Sequence, residues 1–277
     1  MKKKTMLLAA VAAFGLLSLI VPVLGRQEQA QLDNTNELIP LVFQAAGPTI
    51  GSIQGSVDGF RAALGVPNNG NVAGPLAAGR REINWDGGGS TATAIAPTPF
   101  TGFLVTRGAL YTTPGTGFVQ APLSGLAETF GNPSYETIFQ AFSPVRLFSP
   151  VGSNITELEF FVPGDGNRPA TTTGFGAVFT DVDQPDGIPG SKALNRRSTL
   201  IECFGVDGKL LFSSFVPASP GSGNLSFFGI KFDDALIARV RVTAGSISPG
   251  VDDNSKNGKL DVVMMDDFLY GEPQPIK

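Results

Sequence analysis

The sequence predicts a mainly β fold: an antiparallel two-sheet sandwich, jelly-roll-like, with one short N-terminal helix. Three observations carry this. The 35 glycines and 21 prolines, about a fifth of the chain, are spread as punctuation between short apolar runs. Most of those runs alternate apolar and polar residues with period two, the pattern of strands with one buried face. Only one segment repeats its apolar residues at helical spacing. The 21 phenylalanines supply ample material for a core.

That helix comes first. Ile53, Val57, Phe60 and Leu64 follow an i, i+4, i+7, i+11 spacing on one face. Ser52 is placed to cap its start, and Gly65-Val66-Pro67 ends it. Residues 26–48 before it read as a loose leader. A loop rich in Gly, Asn and Pro follows over 67–76. Strands are then expected around Ile155, Leu158, Phe160 and Val162, and over 174–179. Residues 198–204 and 209–216 flank Gly205-Val206-Asp207-Gly208, a hairpin signal because Asp-Gly supplies the backbone of a tight turn. Further strands are expected over 224–232, at Ile237, Val240 and Val242 alternating with Arg239, Arg241 and Thr243, and over 260–270. No repeat or linker divides residues 49–273, which read as a single sandwich domain.

Residues 1–25 read as a secretory signal: Lys2, Lys3 and Lys4, an uncharged apolar run over 5–24, and a small residue at Gly25. Cleavage before Arg26 leaves 17 basic against 24 acidic residues, a charge of about −7. Such a surface repels nucleic-acid phosphates, so no nucleic-acid partner is expected. The membrane enters only through the signal segment, were it left uncleaved. Cys203 is the only cysteine, so no disulfide within the chain is available, and in its strand-like context it reads as a buried small side chain. The absence of histidine excludes Ser-His-Asp and Cys-His catalysis and histidine-ligated zinc.

Two polar motifs stand out. The first, Gly79-Arg80-Arg81-Glu82-Ile83-Asn84-Trp85-Asp86-Gly87, holds the only tryptophan. As a strand it places Arg81, Ile83 and Trp85 on one face and Glu82, Asn84 and Asp86 on the other. A structural reading packs the first set on the core, with Arg80 or Arg81 in a salt bridge at a sheet edge. A ligand-binding reading stacks a sugar on Trp85 and hydrogen-bonds its hydroxyls to Arg81, Glu82, Asn84 and Asp86. A catalytic reading uses Glu82 and Asp86 as an acid/base pair acting on polysaccharide.

The second motif, Met265-Asp266-Asp267-Phe268-Leu269-Tyr270-Gly271-Glu272-Pro273, puts two carboxylates side by side in a strand. One of them is expected to face inward and to need a cation or an arginine such as Arg239 or Arg241. Asp181-Val182-Asp183-Gln184-Pro185-Asp186-Gly187 is a carboxylate-rich turn suited to hard cations. Calcium is therefore the expected cofactor, with Asp181, Asp183, Asp266 and Asp267 as candidate ligands. Residues 253–261 match the first part of an EF-type loop, yet position 12 is Met264.

The stretches Arg80 to Gly87 and Asp266 to Pro273, with Val57-Asp58-Gly59-Phe60-Arg61-Ala62-Ala63-Leu64-Gly65, Pro67-Asn68-Asn69-Gly70-Asn71, Phe142-Ser143-Pro144-Val145-Arg146-Leu147-Phe148 and Gly174 to Asp183, resemble a family of secreted bacterial β-sandwich proteins of uncharacterised role, relatives of surface-sorted proteins. The resemblance covers nearly all of the chain after the signal. It implies the sandwich fold and an extracellular location, and brings no catalytic residue. No apolar helix or basic sorting tail precedes Lys277, so release rather than anchoring is expected. The leading functional expectation is a non-catalytic extracellular interaction or carbohydrate-binding module, its partner a glycan or cell-surface component. The alternatives are a polysaccharide-active enzyme and a purely structural extracellular protein.

Overall fold

A computed structural model describes residues 39–87, 92–184, 199–254 and 260–276. The signal segment, the leader up to residue 38 and the center of the EF-like loop lie outside the described residues. In chain order the elements are β1 (Leu41–Gly47), α1 (Ile50–Leu64), β2 (Arg80–Ile83), β3 (Ala94–Pro97), α2 (Leu104–Arg107), β4 (Ala109–Thr112) and β5 (Gly117–Ala121). Then follow α3 (Leu123–Phe130), α4 (Tyr135–Ile138), β6 (Leu147–Val151), β7 (Ile155–Phe160), β8 (Ala170–Thr171) and β9 (Gly174–Thr180). The last are β10 (Leu200–Phe204), β11 (Leu210–Phe215), β12 (Leu225–Lys231), β13 (Arg239–Thr243), β14 (Met264–Gly271) and β15 (Gln274–Pro275).

The chain is the antiparallel sandwich its alternation predicts. One sheet runs β1-β12-β9-β14-β6-β5-β3, with β2 added on β14; the facing sheet runs β11-β10-β13-β7-β4. β15 and β8 form a small separate pair. The inner faces meet in a core that includes Phe118, Phe148, Leu158, Phe160, Phe175, Phe179, Ile201, Phe228, Val240 and Phe268. The Asp207-Gly208 hairpin forms between β10 and β11. Cys203 is a free, buried thiol in that core, as its context predicts, and burial pushes its pKa up to about 12.

Two features differ from the sequence reading. Residues 41–47, taken as part of a loose leader, form the edge strand β1, paired with β12 from Leu41↔Lys231 to Gly47↔Leu225. One face of this strand is open to solvent, so its alternation is weak. Three short helices, α2, α3 and α4, accompany the one expected, and α3 and α4 cover the outer side of β5 and β6 near Leu147 and Met264.

The expected helix itself buries Ile53, Val57, Phe60 and Leu64. Its N-cap is Thr49, whose amide donates to Ser52 Oγ at 3.4 Å, so Ser52 acts from the first turn instead of as the cap. The buried face lies on the outside of β12, β9 and β14, against Val178, Leu225, Phe227 and Leu269. Phe60 comes this close because the sheet beneath it is bare: a Cβ on Gly176 would stand 2.7 Å from the Phe60 ring. The helix thereby fixes Arg61 above β2 and β14, where the two polar motifs meet.

Candidate functional site

β2 pairs antiparallel with the second half of β14, Ile83 opposite Phe268 and Arg81 opposite Tyr270. This register lays the two motifs side by side. On β2 the faces alternate as the sequence predicts, and Arg81, Ile83 and Trp85 are all buried.

Arg81 is fully buried and forms a two-pronged ion pair with Glu272: Nε to Oε2 and Nη2 to Oε1, each 2.6 Å. Its Nη1 donates to the carbonyls of Gly70 and Val72 at 2.7 and 2.8 Å. Glu272 also accepts from Asn69 Nδ2 at 2.7 Å and from the Leu76 amide at 3.2 Å. The 67–76 loop is thus wound around one buried ion pair, which serves the carbonyls of Gly70 and Val72 and the Leu76 amide. Gly74 is required here, because a Cβ would stand 2.6 Å from Glu272 Oε1.

Trp85 is 1% exposed. Its ring stacks on Phe148 with centroids 3.7 Å apart and meets Phe103, Tyr111 and Phe268 edge-on. The indole Nε1 donates to the Asp266 carbonyl at 2.9 Å. A left-handed backbone at Trp85 (φ 64°) turns the chain after β2 so that the indole enters the sandwich. No ring face is left for a sugar, which overturns the stacking role expected of Trp85.

Of the remaining residues of the first motif, Glu82 and Asp86 are engaged through their side chains, while the Asn84 side chain is exposed. Asp86 Oδ1 accepts from the amides of Val145 and Arg146 at 2.7 and 2.8 Å. Glu82 Oε2 accepts from Arg61 Nε and Nη2, and its Oε1 from Arg80 Nε at 2.6 Å. The Asn84 carbonyl faces the Ser143 hydroxyl at 3.5 Å. The expected salt bridge at the sheet edge is present twice, as Arg81–Glu272 and as Arg80–Glu82.

Asp266 and Asp267 correct the strand-face argument. A bulge in β14, between Met265 opposite Phe179 and Phe268 opposite Ala177, adds one residue, so both carboxyls are buried. Both reach the Ser143 hydroxyl, at 3.1 and 2.7 Å, and Asp266 Oδ2 also accepts the Phe142 amide at 2.6 Å. Burial, followed by the neighboring Asp267 charge, pushes Asp266 well above the usual carboxylate range. Burial also raises Asp267, against the Ser143 hydroxyl and the Arg61 charge. The arginine partner exists, but it is Arg61, 3.2 Å from Asp267 Oδ2. Arg239 and Arg241 both pair with Glu157 instead. Arg61, Ser143, Asn69 and Glu272 were not among the expected site residues. Their only trace in the sequence is their place in the segments that carry the resemblance.

The other candidate ligands, Asp181 and Asp183, lie elsewhere, just after β9. The two expected pairs of metal ligands therefore belong to separate places. Among the described residues no three carboxylates already stand together as a metal site. Asp181 is buried and its two carboxylate oxygens accept no hydrogen bond. Burial, then the charges of Asp183, Asp253 and Asp261, push its pKa up to about 9. Asp261 is raised to about 7, first by burial, against hydrogen bonds from the Asp183 and Gln184 amides.

A pH dependence follows from these shifts. An unfolded aspartate titrates near 4, about five units below folded Asp181. Between those values the folded chain holds a proton that the unfolded chain has released, so stability falls as pH rises. Asp261, Asp266 and Asp267 act in the same direction. With chelator present, the urea midpoint is expected to be higher at pH 5 than at pH 8. A midpoint that rises with pH would contradict these assignments.

Comparison with protein-family models, curated proteins and solved structures finds no match to this chain. No helix among the described residues is long and apolar enough to cross a membrane.

Proposed function

We propose that this chain is a secreted, non-catalytic β-sandwich that serves as an extracellular structural and interaction module. The observation that carries the non-catalytic reading is the fate of Glu82 and Asp86. An acid/base pair needs two carboxyls that reach a reacting bond and water. Glu82 is held by two arginines, and Asp86 caps two backbone amides. The buried Asp266–Asp267 pair is closed off from substrate by Ser143 and the Phe142 amide.

An extracellular glycan, the partner expected from the sequence, must be met away from Trp85. A surface cavity of about 660 Å³, lined in part by Thr171, Val206, Leu236, Gln274, Pro275 and Ile276, has the size for a small saccharide. It offers the Thr171 hydroxyl, the Gln274 amide and the Asp234 carboxylate, and no aromatic ring among its described lining side chains. The test is release of reducing ends from mixed polysaccharides. None is expected, and release that Glu82→Gln or Asp86→Asn abolishes would overturn the reading in favor of an enzyme. A glycan array then separates a binding module from a purely structural one. The secreted form is expected to begin at Arg26, and N-terminal sequencing that finds Met1 on membrane-bound protein would replace release by anchoring.

A further inference from the structure

Each large sheet of the sandwich ends in two edge strands, and an edge strand presents N–H and C=O groups with no ladder partner. β3 is blunted by its length of four residues and by Pro97. β4, also four residues long, is capped by Phe100, whose amide donates to Tyr111 O at 2.8 Å and whose carbonyl accepts the Tyr111 amide at 3.2 Å. β1 is longer, but Phe43 and Ala45 pack against the α1 cluster, and the Ser56 hydroxyl donates to Gln44 O at 3.1 Å. Each of these three edges carries a feature that keeps a further strand away.

β11 carries none. It is an edge of the five-stranded sheet and pairs with β10 alone. Among the described residues, no backbone group of Leu210–Phe215 exchanges a backbone hydrogen bond with anything but β10. Its six residues include no charge, no proline and no glycine, the composition that favors addition of another strand. Its free side opens on a surface cavity of about 500 Å³, which residues 213–218 line together with Gln44. Leu210 is 53% exposed and Phe215 is half-buried. Both stand on the outer face of the sheet. They oppose Phe204 and Leu200, while Ile201 and Cys203, between those two, point into the core.

We infer that β11 is a dimer edge: it pairs antiparallel with β11 of a second copy of this chain across a two-fold axis, joining two five-stranded sheets into one of ten strands. An axis normal to the sheet sets the edge against its own antiparallel image, so its open donors and acceptors meet their complements without any second kind of surface. The same rotation brings Leu210 of one copy beside Phe215 of the other, at both ends of the pairing and on one face. Charge singles out this edge. The chain has 24 acidic against 20 basic residues, so two copies repel where their charged surfaces approach. β11 brings no charge to the contact, and beside it Lys209 and Asp207 neutralize each other as an ion pair at 2.7 Å. The pairing uses main-chain groups and is independent of whether the module meets a glycan.

Light scattering coupled to size exclusion, run from micromolar to millimolar chain, tests this. A mass of two chains is expected at the upper end, with hydrogen exchange of the β11 amides slowing as concentration rises. Ser213→Lys and Leu210→Lys each put a cation on an exposed position of the strand. Both are expected to weaken dimerization at least tenfold while the circular dichroism stays that of the parent, and the second keeps the test open should the first fail to fold. Ile95→Lys, on the β3 edge, is expected to dimerize as the parent does. A single-chain mass at every concentration would overturn the inference. So would a dimer that survives both β11 variants, or one that is lost in Ile95→Lys. Masses that grow past two chains would overturn the two-fold pairing and show open-ended association instead.

Discussion

Trp85→Ala is expected to cost about 3–5 kcal/mol, the range for truncating a buried large aromatic. The loss combines the transfer term with the cavity left between Phe148, Phe103, Tyr111 and Phe268. It also leaves the Asp266 carbonyl without the indole N–H. A domain of ordinary stability has about 5–15 kcal/mol in total, so the variant stands near the threshold of folding. Trp85→Phe keeps most of the ring packing and loses chiefly the hydrogen bond, so a much smaller cost is expected. Urea unfolding of the two variants checks both values, and a cost below about 1 kcal/mol for the alanine variant would be incompatible with the packing described.

Arg81→Ala is expected to cost about 3–5 kcal/mol as well, because it strands the buried Glu272 carboxylate. Glu272→Ala should cost a similar amount for the mirror-image reason. The double variant Arg81→Met/Glu272→Leu removes both charges and is expected to recover part of the loss. Recovery stays incomplete, since Gly70 O, Val72 O, Asn69 Nδ2 and the Leu76 amide all lose partners. Strictly additive single and double costs, measured as a double-mutant cycle, would show that the pair does not act as a unit.

What could be read from the chain beforehand was local. The spacing of Ile53, Val57, Phe60 and Leu64 marks a helix because one face of it must be apolar, and those four residues are its buried ones. Alternation on β2 puts Arg81 and Ile83 on one buried face for the same reason, whereas Trp85 lies past the strand and reaches the core through a left-handed backbone that alternation does not announce. What escaped depends on partners far along the chain. The bulge at Asp266 and Asp267 is a relation between β14 and β9, and nothing in the run of residues announces it. Glu272 meets Arg81 across 191 positions. Arg61 faces outward on its helix by periodicity, and only the docking of α1 on the sheet brings it to Glu82 and Asp267. β1 is not legible in the sequence because an edge strand with one wet face carries little alternation.

The two polar motifs form a largely buried lock between β2 and β14. The single tryptophan is a built-in probe of that burial. The measurement is the emission of Trp85 in the folded protein with rising acrylamide, with and without soluble glycans. A blue-shifted emission is expected, resistant to the quencher until the chain unfolds and unchanged by any glycan. A water-like emission that is readily quenched in the folded state, and that a glycan protects, would contradict it.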